Sequence, residues 1–136
     1  MLKLIMGKQG SGKTKQILEM VRNAIDNENG NVVCLETKKK LACDIHHGAR
    51  LIEADAYPIA GYNELLSFIC GMCAADFDIT HIFIDSLYKV AKSNDTSIVE
   101  DFLGDLYDFT NAHDINVTIT ISADPSEATD GMKAFF

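Results

Sequence analysis

Apolar residues along this chain switch between two spacings. Residues 2–6 (LKLIM) are a short apolar run, the pattern of a strand, ahead of a glycine-rich stretch. From Thr14 the apolar positions are Ile17, Leu18, Met20, Val21, Ala24 and Ile25, the spacing of one helix face, and Gly30 is the expected helix stop. Residues 31–36 (NVVCLE) run apolar up to a closing glutamate, as in a strand covered on both faces of a parallel sheet. Residues 37–60 are the least regular part, with a short strand expected over 49–55 (ARLIEAD). Helical spacing returns over 61–75, with Leu65, Leu66, Phe68, Ile69, Met72 and Cys73 on one side. Residues 80–85 (THIFID) read as a strand and 92–96 as a loop. Ser97 and Glu100 have capping-box spacing ahead of a helix whose apolar side is Ile98, Val99, Phe102, Leu103 and Leu106. Residues 115–122 (INVTITIS) are the last strand, broken by Asp124-Pro125, and a short helical tail comes after it.

Strands alternating with helices in the order β-α-β-(β)-α-β-α-β imply a three-layer α/β/α sandwich around a parallel sheet of about four to five strands. Residues 1–136 are expected to form a single domain. In such sheets ligands sit at the carboxyl ends of the strands, so the residues just past each strand are the first candidates for chemistry.

The first strand leads into Gly7-Lys8-Gln9-Gly10-Ser11-Gly12-Lys13-Thr14, a full match to G-x-x-x-x-G-K-[ST]. Glycines let such a loop wrap so that successive backbone N–H groups converge on a phosphate, and the helix behind it adds the positive end of its dipole. Lys13 is expected to reach the β- and γ-phosphates and Thr14 to offer its hydroxyl to Mg²⁺. This P-loop, or Walker A, motif identifies a resemblance to the P-loop NTPase superfamily and implies its nucleotide-binding core. The stretch HIFIDS (81–86) looks like a Walker B strand, and in that role Asp85 would hold Mg²⁺ beside Thr14.

In many ATPases of this superfamily a glutamate comes directly after the Walker B aspartate; here that residue is Ser86, which is no general base at neutral pH without help. RecA-like ATPases take the glutamate from a neighbouring strand, and the resemblance implies Glu36, at the end of the second strand, as the substitute; Asp124 is a weaker one. Ser122 ends a strand expected beside the P-loop strand and is a candidate γ-phosphate sensor. Only two arginines, Arg22 and Arg50, are present. Arg22 lies too far down its helix to reach phosphate, which leaves Arg50, Lys89, Lys92 or an arginine from another subunit. Along most of the chain, GKQGSGKTK, NVVCLE, FICGMCAADFDITHIFID and ITISAD resemble small bacterial P-loop proteins labelled twitching-motility (pilus-retraction) ATPase-like. That resemblance implies ATP and Mg²⁺ as cofactors and a RecA-like core. It does not imply pilus retraction, because the N-terminal domain and the histidine and aspartate boxes of the longer ATPases have no counterpart here.

Composition narrows the partners. The net charge is −8 and the one basic cluster is Lys38-Lys39-Lys40, a solvated turn by its length, so nucleic acid is not the expected ligand. No apolar run is long enough to span a membrane and no leader pattern opens the chain; a cytoplasmic location is expected. Cys70 and Cys73, with Cys43 and His46, have the spacing of four zinc ligands, but the first pair falls inside a helical pattern, where cysteine acts as a small hydrophobe. Three functions stand: a Mg-ATP-binding protein with weak or partner-dependent hydrolysis, acting with a protein partner or a second copy; a small-molecule, nucleoside-type kinase; and a nucleotide-sensing regulatory module. The kinase reading wants an arginine-rich lid and, for a thymidine-kinase type, an acid after Asp85 and a long lasso, none of which stands here. ATP is preferred over GTP because the guanine-reading N-K-x-D pattern is absent; residues 110–114 (TNAHD) have Ala112 in place of the lysine.

Overall fold

The structure is a computed structural model and describes residues 1–38 and 48–136. Its elements are β1 (Leu2–Gly7), α1 (Lys13–Asn27), β2 (Asn31–Glu36), β3 (Ala49–Glu53), α2 (Tyr62–Ala75), β4 (Ile79–Ile84), α3 (Leu87–Ala91), α4 (Thr96–His113), β5 (Asn116–Ser122) and α5 (Asp130–Lys133), with single 3₁₀ turns at Ala54–Ala56 and Pro125–Glu127. The strands form one all-parallel sheet in the order β1-β5-β4-β2-β3.

With right-handed crossovers, that order sets which face each helix covers. The chain leaves β1 toward β2 through α1, then returns from β3 through β4 to β5 by way of α2, α3 and α4. Right-handed crossovers running in opposite directions put their helices on opposite faces. Alternate strand residues record the result. Val33, Leu35, Ile82, Ile84, Val117, Ile119 and Ile121 enter the larger core with α2 and α4, through Leu65, Ile69, Val99, Phe102, Leu103 and Leu106. Val32, Cys34 and Phe83 face α1 and meet Ile17, Val21 and Ala24. The face under α1 is also the polar one, because it takes the buried His81, Thr118 and Thr120.

Three local expectations are corrected. The long helix α4 is capped by Asp95, whose carboxylate accepts from the Ser97 and Ile98 amides, so Ser97 lies inside the helix and forms no capping box with Glu100. Asp is as good an N-cap as Ser and stands two residues earlier. Ile98 is consequently 45% exposed and not part of the core. Gly30 does not stop α1, which ends at Asn27 with Glu28 as its cap. Gly30 is instead required by close approach: a Cβ there would collide with Thr80 Cγ2 and the Asp78 carbonyl. The short helix α3 had no counterpart in the apolar pattern, since five residues are too few to show a period. Lys39, Lys40, Cys43 and His46 lie outside the described residues. Among those described, no helix is long and apolar enough to cross a membrane.

Candidate functional site

Gly7 ends β1 directly opposite Ser122 at the end of β5, so the glycine loop starts at the carboxyl edge of the sheet. Gly10 (φ 83°) and Gly12 (φ 92°) take left-handed backbone angles that side-chain-bearing residues adopt only at a cost. The loop folds back on itself: the Lys8 carbonyl accepts from the Ser11 amide (3.0 Å) and from Lys13 Nζ (2.9 Å), and Ser11 Oγ lies 3.5 Å from the same Nζ. Lys13 is thereby buried, 8% exposed, with its ammonium turned into the loop. Gly12 caps α1 without a side-chain bond and the first turn contains no acid, so the helix presents uncompensated N–H groups and a positive dipole end.

Across the edge, Asp85 comes just after β4 and donates its amide to the Leu35 carbonyl at 2.9 Å. Its Oδ1 accepts the Thr120 hydroxyl at 2.6 Å. Ser86, in the left-handed region at φ 61°, donates its amide to the same Thr120 oxygen at 2.9 Å. Glu36 ends β2 at this edge and is 3% exposed. The thiol of Cys34, on the same face of β2, is pushed up to about 12 by burial, with the charges of Glu36 and Asp85 adding to the effect.

This carboxyl edge holds a cavity of about 360 Å³, within the size range of small-molecule sites. Its wall includes Gln9, Gly10, Gly12, Lys13 and Thr14 from the loop and α1, together with Glu36, Asp85 and Ser122 from three strand ends. Gly7, Lys8 and Ser11 shape the loop without lining the wall: a Cβ on Gly7 would run into Ser11 Oγ. Lys8 reaches out to Asp124 at 3.3 Å. Asp124 itself caps the turn at Pro125–Glu127, and hydrogen bonds from Ser126, then Lys8, hold its carboxyl below the usual range; it is absent from the cavity wall. Arg50 sits at the amino end of β3, in a separate hollow with Asn31 and Asp76 at the opposite sheet edge, and neither Arg22 nor Lys92 joins the wall. Lys38 and Lys89 do. Lys38 read from sequence as part of a solvated turn, because its place on the cavity wall depends on which strand ends come together, and that is not local information.

Thr120 is the residue the apolar pattern concealed. The signal was present as period-two alternation: Thr118, Thr120 and Ser122 occupy every second position of a strand covered on both faces, and buried hydroxyls need partners. Cys70 and Cys73 lie on α2, half-buried, with the Cys73 thiol raised to about 11 chiefly by burial; no group of three or more potential metal ligands occurs among the described residues. Three lysines, backbone N–H groups and a helix dipole suit a polyanion, and the hydroxyl of Thr14 with the carboxylate of Asp85 suits a hard divalent cation.

No protein-family model matches the chain, and no curated protein matches it in sequence. Among solved structures it is similar to the crystal structure of the flagellar accessory protein FlaH from Methanocaldococcus jannaschii, with a TM-score of 0.60 and 15% identity. The match covers 98% of this chain and 65% of that one, so the chain spans somewhat under two thirds of the FlaH structure. At that identity the likeness is one of fold: five parallel strands between two helical layers, a RecA-like α/β sandwich.

Proposed function

We propose that residues 1–136 form a single Mg-ATP-binding domain with weak or partner-dependent ATP hydrolysis, working in the cytoplasm with a protein partner or a second copy of itself. One observation carries this reading. The loop that matches the phosphate-binding motif, its buried lysine, and acids from two other strand ends line a single cavity. In this reading Lys13 leaves the Lys8 carbonyl for the β- and γ-phosphates, while amides of residues 8–14 hold the phosphate oxygens. Thr14 and Asp85 hold Mg²⁺, which when bound neutralises charge developing on the phosphates. Glu36 orients and deprotonates the attacking water, Ser122 contacts the γ-phosphate, and Lys89 and Lys38 supply cations that the scarce arginines do not.

A second reading, a nucleotide-sensing module without turnover, is favoured by Ser86 standing where many ATPases carry their glutamate. A thermal-shift series with ATP, GTP and ADP, each with and without Mg²⁺, tests the shared premise. ATP at about 100 times its Kd is expected to stabilise the protein by about 2.7 kcal/mol. Lys13→Ala is expected to lose that shift while keeping its unliganded unfolding midpoint; no shift with any nucleotide overturns the proposal. Phosphate release under saturating ATP then separates the two readings. A rate that falls in Glu36→Gln supports hydrolysis by this acid, an unchanged rate removes Glu36 as base, and no release at all leaves the sensing module.

A further inference from the structure

We infer that Thr120 is a positioning residue for the metal side of the cavity: its one hydroxyl sets both the Asp85 carboxylate and the Ser86 backbone. The inference rests on the nucleotide reading above and adds a residue to it. Ile84 pairs with Ile119 across β4 and β5, so the next residues along, Asp85 and Thr120, come level where the strands end. Thr120 is fully buried, at 0% exposure, on the face under α1. A hydroxyl has one proton to give and two lone pairs to accept with. Here the proton goes to Asp85 Oδ1 at 2.6 Å and one lone pair takes the Ser86 amide at 2.9 Å.

That allocation constrains both partners. The carboxylate loses rotational freedom, and with one acceptor site of Oδ1 taken by Thr120, Oδ2 is the less encumbered oxygen for a cation's water shell. The chain is also held as it turns sharply out of β4: Ser86 keeps its left-handed φ of 61° while its amide is bonded, and α3, which brings Lys89 to the cavity wall, starts from that turn. One buried threonine thus couples the acid to the helix behind it. Groups that orient metal-holding side chains in this way are commonly worth ten- to a hundredfold in metal affinity.

The test compares Thr120→Val, which keeps the shape and loses the hydroxyl, with Thr120→Ser, which keeps the hydroxyl. ATP affinity is measured by titration calorimetry with and without Mg²⁺. Thr120→Val is expected to weaken the Mg²⁺-dependent part of ATP binding about tenfold or more, to leave Mg²⁺-free binding within about twofold, and to speed hydrogen exchange at the Ser86 amide in the nucleotide-free protein. Thr120→Ser is expected to restore all three toward wild type. If Thr120→Val does not fold, Thr120→Cys, with its weak donor, takes its place and is expected to fall between the two. Wild type that binds ATP with Mg²⁺ dependence, together with a hydroxyl-free variant that keeps the same dependence, overturns the role of Thr120 alone. Wild type with no nucleotide binding overturns the site reading as well.

Discussion

At Ser86 local chemistry and backbone geometry are at odds, as they are at Lys92 and Asp114, which share its left-handed φ. A left-handed conformation costs a residue with a Cβ roughly 1–2 kcal/mol, and Ser86 adopts it at φ 61°, ψ 66° as the first half-turn into α3. The amide bond to Thr120 holds it there. Branching at Cβ makes the same backbone harder to reach. Ser86→Val is therefore expected to lower stability by about 1–2 kcal/mol in urea unfolding, while Ser86→Gly is expected to be neutral or to stabilise by up to about 1 kcal/mol. Equal effects of the two substitutions would show that the turn carries no strain. From sequence, Ser86 was visible only as a missing glutamate; its backbone angle depends on a hydroxyl from another strand.

Among the elements, glycines with opposite roles give the sharpest contrast. Gly30, between α1 and β2, packs so tightly on the turn at 78–80 that a Cβ would strike Thr80 Cγ2 and the Asp78 carbonyl, and the neighbouring Asn31 amide bonds that same carbonyl at 2.7 Å. Gly30→Ala is expected to cost about 1–3 kcal/mol, the usual penalty of overpacking. Gly104 lies inside α4, exposed, with open space where a Cβ would go. Gly104→Ala is expected to raise stability by about 0.5–1 kcal/mol through helix propensity. Chemical denaturation of both variants checks the pair, and a stable Gly30→Ala would mean that the connection relaxes at no cost. The apolar faces of α1 and α4 were readable from spacing alone, because a period of 3.6 is a local property. The purpose of Gly30 was not, since a turn 48 residues away imposes it.

At the scale of the whole molecule, a polar strut runs beneath α1 at the end of the sheet away from the cavity. Glu28, which caps α1, accepts from His81 Nδ1 at 2.8 Å, and His81 Nε2 lies 2.9 Å from Thr118 Oγ1. A neutral ring donating to the carboxylate leaves Nε2 to accept the threonine hydroxyl. The strut ties α1 to β4 and β5, and the ring also stacks on Phe83 at 4.0 Å. Burial lowers the His81 pKa from 6.5, the amino-terminal charge adds to the lowering, and Glu28 works against it. The folded protein thus holds fewer protons than the unfolded chain as the ring titrates. The stability this contributes is full above about pH 6.5 and is lost as pH falls through the lower folded value. His81→Gln is expected to flatten the fall in unfolding free energy between about pH 7.5 and pH 5.5. An unchanged slope in that variant would assign the acid sensitivity to other groups.

The amino-acid sequence by itself determined the alternation of strands and helices, hence the parallel three-layer fold, and the glycine loop with Lys13 and Thr14 at the head of α1. Both are set by neighbours within a few residues: hydrophobic period in the first case, left-handed glycines in the second. Glu36, Asp85 and Ser122 were legible as strand-end residues, because in a parallel sheet every strand ends at the same edge. Only the tertiary structure decided which side chains meet there. The order β1-β5-β4-β2-β3 inserts β5 between the loop strand and the Asp85 strand. That insertion brings Thr120 to Asp85, admits Lys38 and Lys89 to the cavity and directs Asp124 away to Lys8. Contacts between residues tens of positions apart depend on strand order, which is settled by crossover handedness and core packing and leaves no local mark in the chain.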